Sequence, residues 1–269
     1  MPCVNTFAFE TKAQVRSVAV WTMSLVALLV VFAGGFYPAF LESRDAVQEA
    51  LASLPPAFAA VFGVQMDAIF SYGGFFQFLY TYLGVVGAIM AAGVGLAAFA
   101  REKRSSCVDF LFVKPVSRGW LFARKGLACL ALLAAANVVF VAASIATYLL
   151  NGQDKAGLGT LVLASLSLFL LQVVFLAVGV VVAVFARKIR SVSGMATALG
   201  FGGFALLALH SMLQEETLRF VSPLNYFNPG TVFETGGYEA KYAVAAAVVV
   251  AVCVAAAWVR YCRSDTPAL

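Results

Sequence analysis

The chain has 269 residues, of which 62% are hydrophobic and 12% are charged, and its mean hydropathy is +0.93. Soluble domains are about 45–50% apolar and about 25% charged, so this composition excludes the soluble classes and indicates a polytopic α-helical membrane protein. The net charge of +5 at pH 7 fits loops that face the cytoplasm, and we expect no nucleic acid as a partner.

Six apolar segments are each long enough to cross a bilayer, since about 20 apolar residues span roughly 30 Å of hydrocarbon as a helix. Lipid offers no hydrogen-bond partner to the backbone, so these segments are predicted to be helices. They cover residues 17–39, 74–99, 121–150, 157–186, 192–212 and 241–260. We therefore predict an all-α fold and a single transmembrane domain over residues 1–269.

The first sixteen residues alternate apolar and polar side chains. Phe7, Phe9 and Val15 stand among Glu10, Lys12, Gln14 and Arg16. This weak amphipathic pattern fits a helix that lies along the inner leaflet. A simple extension of the first spanning helix is the alternative.

Two outward loops, residues 40–73 and 213–240, are too long to be simple turns. In the first loop, Val47, Leu51 and Leu54 recur at spacings of four and three, which predicts a short amphipathic helix that ends at Pro55-Pro56. The second loop is rich in aromatic residues and prolines. It is predicted to be an interfacial or partly re-entrant element, with a plain ordered loop as the alternative.

The distribution of positive charge predicts the orientation in the membrane. With both termini in the cytoplasm, 14 of the 18 Lys and Arg residues lie inside, as the positive-inside tendency requires. The four outer cations are Arg44, Lys155, Arg219 and Lys241. The opposite orientation would reverse this ratio.

The predicted spans carry no charge in their central parts, where proton- or sodium-driven carriers usually place ionisable residues. Asn137 and Gln172 are expected to form hydrogen bonds between helices, and together with Thr147 they are the candidates to line a pathway. His210 is expected to form a hydrogen bond at the outer end of its span. Small residues along the second span, from Gly84 to Gly95, favour close helix packing.

No catalytic or metal-binding motif is present. The chain lacks HExxH, GxSxG and GxxxxGK[ST], and its five cysteines and single histidine have no metal-ligand spacing. We therefore expect neither an enzyme nor a bound cofactor.

Residues 100–125 hold seven of the cations but are patterned to fold. Ser106 and Asp109 have capping-box spacing, and Val108, Leu111 and Phe112 follow on one face. A short amphipathic helix is predicted here. A corner at Pro115 and a new helix capped by Ser117 follow it.

This segment resembles the region between the second and third spans of type-2 ABC transporter permeases. The matching residues are Glu102, Asp109-Phe110-Leu111, Lys114-Pro115-Val116-Ser117-Arg118 and Lys125. The resemblance extends to the six-span layout and to the segment LNYFNPG (224–230) in the last outward loop. One departure is Ser105-Ser106-Cys107, where the family commonly has Gly-Thr shortly after the glutamate.

The resemblance implies a permease subunit in a bacterial cytoplasmic membrane, surrounded by membrane lipid, that pairs with a second copy or a related chain. Separate cytoplasmic ABC ATPase subunits would bind ATP and Mg²⁺ and dock on a coupling region at residues 101–118. The coupling residues that it implies are Glu102, Asp109, Leu111, Phe112, Pro115, Ser117 and Arg118. Export is the expected direction, and the apolar, Phe-rich spans are consistent with a hydrophobic or amphiphilic cargo.

Two other functions fit parts of the pattern. The first is a membrane scaffold or assembly factor whose basic loop recruits a soluble partner without transport. The second is a secondary carrier, which the uncharged span centres disfavour.

Overall fold

The computed structural model describes residues 6–53, 55, 68–104, 117–151, 157–213 and 215–263, with residues 102–104 described by their backbone alone. Every regular element in these ranges is helical, which confirms the all-α prediction. The α-helices are α1 (Thr6–Leu29), α2 (Tyr37–Glu42), α3 (Arg44–Ala52), α4 (Tyr72–Arg104), α5 (Arg118–Asn151), α6 (Leu158–Phe185), α7 (Val192–Leu213), α8 (Glu216–Val221), α9 (Pro229–Thr235) and α10 (Ala240–Arg263).

Six helical stretches within the described residues are long and apolar enough to cross a membrane, as predicted. They are Thr6–Glu42 and the helices α4, α5, α6, α7 and α10. The first stretch starts at Thr6, not near residue 17, and its 37 residues make it about 55 Å long at 1.5 Å per residue. From Thr6 onward, the N-terminal segment therefore continues the first span, which was the alternative to a separate helix along the leaflet.

A π-helical segment, Val30–Phe36, joins α1 to α2 without ending the helix. Wider turns of this kind leave carbonyl groups without their usual partner four residues on. Asn151, the last residue of α5, supplies one: its Nδ2 donates to the carbonyl oxygens of Ala33 (3.1 Å) and Gly34 (2.9 Å). The end of the third span thus stabilises the irregular part of the first.

Helices α4 and α6 form the centre of the bundle through glycines. A Cβ atom on Gly179 would lie 2.6 Å from the carbonyl oxygen of Ala92, and one on Gly95 would lie 2.8 Å from that of Leu176. Such a close backbone approach requires glycine, so the predicted tight packing of the second span is confirmed. Gly200 of α7 likewise lies close to α4, where its Cβ position meets the side chain of Ile89.

The helices differ in how far one chain buries them. The most apolar part of α4 is 78% buried, whereas those of α7 and α10 are each 17% buried. Helices α7 and α10 therefore leave most of their apolar surface to lipid or to a partner.

The segment between α7 and α10 re-enters the bundle. It contains α8, a 3₁₀ turn at Pro223–Asn225, and α9. Leu224 in the turn packs at 3.5 Å and 3.4 Å from the Cβ positions of Gly84 in α4 and Gly203 in α7. Gly84 lies 12 residues into α4, about 18 Å along its axis. The turn therefore packs well inside the ends of α4 and α7, and re-entry of this segment into the membrane stays a prediction.

The first outward loop contains α3, which matches the predicted short amphipathic helix. No side chain of α3 is buried. Leu54 and Pro56, at the expected end of that helix, lie outside the described residues.

Candidate functional site at the charged junction

The clearest charged cluster among the described residues joins the first three spans at one end of the bundle. We call Glu10, Arg101 and Lys125 the charged junction. Glu10 Oε2 lies 3.1 Å from Arg101 Nη1, and Glu10 Oε1 lies 3.4 Å from Lys125 Nζ. Lys125 Nζ also donates a 2.9 Å hydrogen bond to the carbonyl oxygen of Ala98.

Two of these charges are withdrawn from solvent. The side chains of Glu10 and Lys125 are each 3% exposed, whereas that of Arg101 is 32% exposed. Burying a charge is costly unless an opposite charge and hydrogen bonds compensate it. The three side chains therefore depend on one another, and the carboxylate of Glu10 is the group that they share.

Aromatic side chains surround the junction and extend it to the last helix. Phe99 and Phe122 pack with their ring centroids 5.0 Å apart, and Tyr261 of α10 contacts both rings. Near the start of α5, a Cβ atom on Gly119 would lie 3.3 Å from the indole nitrogen of Trp258. Helices α1, α4, α5 and α10 thus meet at one end of the bundle, which we call the basic end.

The junction lies at both flanks of residues 105–116. Arg101 is in the last turn of α4, which leads into this segment, and Lys125 is in the second turn of α5, which leads out of it. Asp109, Leu111, Phe112 and Pro115 lie outside the described residues, as does the side chain of Glu102. The predicted amphipathic helix and its role therefore stay predictions.

The structure describes the residues that directly follow residues 105–116. Ser117 Oγ accepts a 3.4 Å hydrogen bond from the backbone N–H of Trp120, and Arg118 is the first residue of α5. The prediction that Ser117 caps the third spanning helix is confirmed.

The two amides that the sequence singled out meet in the middle of the bundle. Asn137 Nδ2 donates to Gln172 Oε1 at 2.5 Å, and Gln172 Nε2 points to the sulfur of Met90 at 3.8 Å. Both side chains are buried. The predicted hydrogen bond between helices is confirmed, and it links α5 to α6. Whether the two amides line a pathway stays a prediction.

The other two polar side chains singled out in the sequence lie toward the opposite end of the bundle. Thr147 is buried, and its hydroxyl is 2.9 Å from that of Tyr72 in α4. His210 Nδ1 lies 3.1 Å from the carbonyl oxygen of Glu215, as expected of a hydrogen-bonded histidine at a span end. A role of Thr147 in lining a pathway also stays a prediction.

Sequence reasoning counted Arg101 and Lys125 among the positive charges, named Lys125 also as a match to the permease pattern, and placed Glu10 on a weakly amphipathic segment. The buried side chains of α1 give a usable signal. They are Glu10, Gln14, Val18, Thr22, Leu25 and Leu29. These residues recur at spacings of four and three, so Glu10 and Gln14 continue the apolar stripe that packs against the bundle.

No group of three or more His, Cys, Asp or Glu side chains suited to a metal ion occurs in the part of the chain that the structure describes. The candidate site is a junction between helices that is built from ion pairs and aromatic contacts.

Comparison with known proteins identifies a family for the chain. The family model described as ABC-2 family transporter protein matches residues 4–266, nearly the whole chain. No curated protein matches the chain significantly.

Proposed function

This chain belongs to the ABC-2 transporter family and is a multi-pass membrane transport subunit, and from this premise we propose that it couples ATP hydrolysis on separate ATPase subunits to export. The family implies an ABC ATPase as partner. One observation supports this proposal above all. Residues 105–116, which resemble a coupling segment, connect two helices whose ends both form ion pairs with Glu10.

The proposed orientation places the basic end in the cytoplasm. Arg101, Arg118, Arg260 and Arg263 all lie at that end, on α4, α5 and α10. An excess of positive charge on the cytoplasmic side of short loops supports this orientation. The re-entrant segment between α7 and α10 then faces the outside.

In the proposed mechanism, the ATPase docks on the apolar face that the sequence predicts for residues 105–116, with Leu111 and Phe112. A push on this segment moves the end of α4 and the start of α5. Both ends are tied to α1 through Glu10, so the charged junction passes the movement to the first span. The tight glycine contacts of α4 with α6 carry it further into the bundle.

The pathway in this proposal forms between two permease copies. Helices α7 and α10 have the apolar surface that one chain leaves uncovered. A hydrophobic or amphiphilic cargo, such as a lipid, peptide or drug, suits a pathway with apolar walls. Inverted vesicles that contain the permease and its ATPase should accumulate a fluorescent amphiphile only when ATP is present, and ATP-independent uptake would contradict energised export.

Co-purification tests ATPase docking without knowledge of the cargo. An ABC ATPase should be recovered with the wild-type chain from detergent-solubilised membranes, because the apolar face of residues 105–116 fills a groove on it. The double variant Leu111→Ala/Phe112→Ala should lose most of the ATPase.

Leu149 and Leu150 supply the matched control, since they are exposed at the opposite end of α5. Their double alanine variant should recover the ATPase at the wild-type level. Wild-type recovery by Leu111→Ala/Phe112→Ala would contradict the proposal. Recovery of a soluble partner that is not an ATPase would favour the scaffold function instead.

A further inference from the structure

A second feature of the basic end is an open apolar groove on the side of the bundle. Its volume is about 520 Å³, and it lies between the end of α6 and the last two turns of α10. The lining residues are Phe185, Ala255, Ala256, Val259, Arg260 and Arg263. Phe185 and Val259 are 51% and 40% exposed, so the part of the chain that the structure describes does not fill the groove.

One end of this groove is strongly cationic. Arg260 and Arg263 line it directly, and Arg187, Lys188 and Arg190 follow within five residues of Phe185. All five side chains are exposed. None of them forms an ion pair with a described acidic side chain.

We propose that the groove binds one anionic phospholipid of the surrounding leaflet, with an acyl chain along Ala255 and Val259 and the phosphate between Arg260 and Arg263. An apolar channel that ends in guanidinium groups is complementary to a lipid tail joined to a phosphate. Arginine binds phosphate oxygens in a bidentate manner, and basic pockets between spanning helices hold anionic headgroups.

The position of the groove favours a lipid over a protein. Ala255 lies eight residues before the end of α10, about 12 Å along the helix, which is at the depth of acyl chains. A soluble partner meets only the cationic end of this surface. A second copy packed face to face would bring the same five cations against one another, which is unfavourable.

Native mass spectrometry of the purified full chain tests the site with two lipids that share their acyl chains, palmitoyl-oleoyl-phosphatidylglycerol and palmitoyl-oleoyl-phosphatidylcholine. The wild-type chain should retain one phosphatidylglycerol under conditions that remove phosphatidylcholine. The double variant Arg260→Gln/Arg263→Gln should bind phosphatidylglycerol about 25-fold more weakly, because each of the two cations near an anionic lipid contributes roughly a factor of five to its affinity.

Lys12 and Arg16 provide the matched control, since both are exposed cations on α1 and neither lines the groove. Lys12→Gln/Arg16→Gln should retain wild-type affinity for phosphatidylglycerol. Equal weakening by both pairs of substitutions would overturn the proposal, because it would show attraction to surface charge alone.

Ala255→Trp tests the apolar part with all cations in place. The indole would occupy the part of the groove beside Ala255 and should also weaken phosphatidylglycerol binding, about tenfold, because part of the acyl chain would lose its apolar contact. Wild-type affinity in Ala255→Trp would overturn the groove as the site. This variant also decides the matter if Arg260→Gln/Arg263→Gln does not fold.

Discussion

Oε1 of Glu10 lies 3.4 Å from Nζ of Lys125, and the two side chains are equally withdrawn from solvent. The acid stands near the start of the first helix, and the amine stands in the helix that follows residues 105–116. Because Arg101 of the preceding helix meets the same carboxylate, one acidic side chain holds both flanks of that segment.

Glu10→Gln should destabilise the chain more than any exposed substitution on α1. It leaves Lys125 buried with its hydrogen bond to the Ala98 carbonyl but without the negative charge of Glu10. Removal of one partner of a buried pair typically lowers the free energy of unfolding by about 3–5 kcal/mol. The lost ion pair with Arg101, which is partly exposed, adds little to this loss. The midpoint of thermal unfolding in detergent should fall clearly, whereas Lys12→Gln, on the exposed face, should leave it unchanged.

Removing both buried charges separates the ion pair from simple packing. In Glu10→Gln/Lys125→Met both buried charges are gone, so most of the lost stability should return. A double variant less stable than Glu10→Gln would contradict the assignment of the ion pair as the cause.

Because α4 and α6 lie so close together, one added methyl group between them should lower the stability of the chain. Gly179→Ala would place its Cβ atom against backbone atoms of Ala92, which no side-chain rotation can relieve. Overpacking of this kind costs about 1–3 kcal/mol. Gly202→Ala is the control, because nothing lies within 4 Å of its Cβ position. Equal unfolding midpoints for the two variants would show that the helices do not pack this closely.

The amide pair at the centre of the bundle predicts a measurable coupling. A double-mutant cycle of Asn137→Ala and Gln172→Ala should give a coupling energy of about 0.5–2 kcal/mol. A coupling energy of zero would contradict the hydrogen bond between them. If the amides also line a pathway, each single variant should change ATP-driven uptake in inverted vesicles at an unchanged protein level.

The re-entrant segment predicts a pattern of accessibility from outside the cell. In a background without native cysteines, Leu224→Cys should resist a membrane-impermeant thiol reagent, because Leu224 is 6% exposed between α4 and α7. Glu234→Cys, at an exposed position of α9, should react. Rapid labelling of both positions would contradict the insertion of the turn, and labelling of neither would contradict the outward orientation.

Hydropathy predicted the six spans because the thickness of the bilayer sets the length of an apolar run, and such runs can be found in the sequence alone. Local rules also predicted α3 and the cap at Ser117, since both depend on residues a few positions apart. The bond between Asn137 and Gln172 followed from the cost of an unpaired amide among apolar side chains.

Long-range geometry limited what the sequence could predict. The carboxylate of Glu10 finds its partners 91 and 115 positions away, and no local pattern specifies such pairs. The π-helical segment Val30–Phe36 likewise depends on Asn151 from the end of another span. The apolar composition of residues 30–36 does not distinguish the π-helical segment from an α-helix, because both bury similar residues.

Photo-crosslinking from residue 112 tests the central claim most directly, and it requires no knowledge of the cargo. With p-benzoylphenylalanine in place of Phe112, irradiation of cell membranes should join the chain to a protein that carries a GxxxxGK[ST] phosphate-binding loop. The same group in place of Leu150, at the opposite end of α5, should give no such adduct. Absence of the ATPase from the adducts formed at position 112 would contradict the coupling of this permease to ATP hydrolysis through residues 105–116.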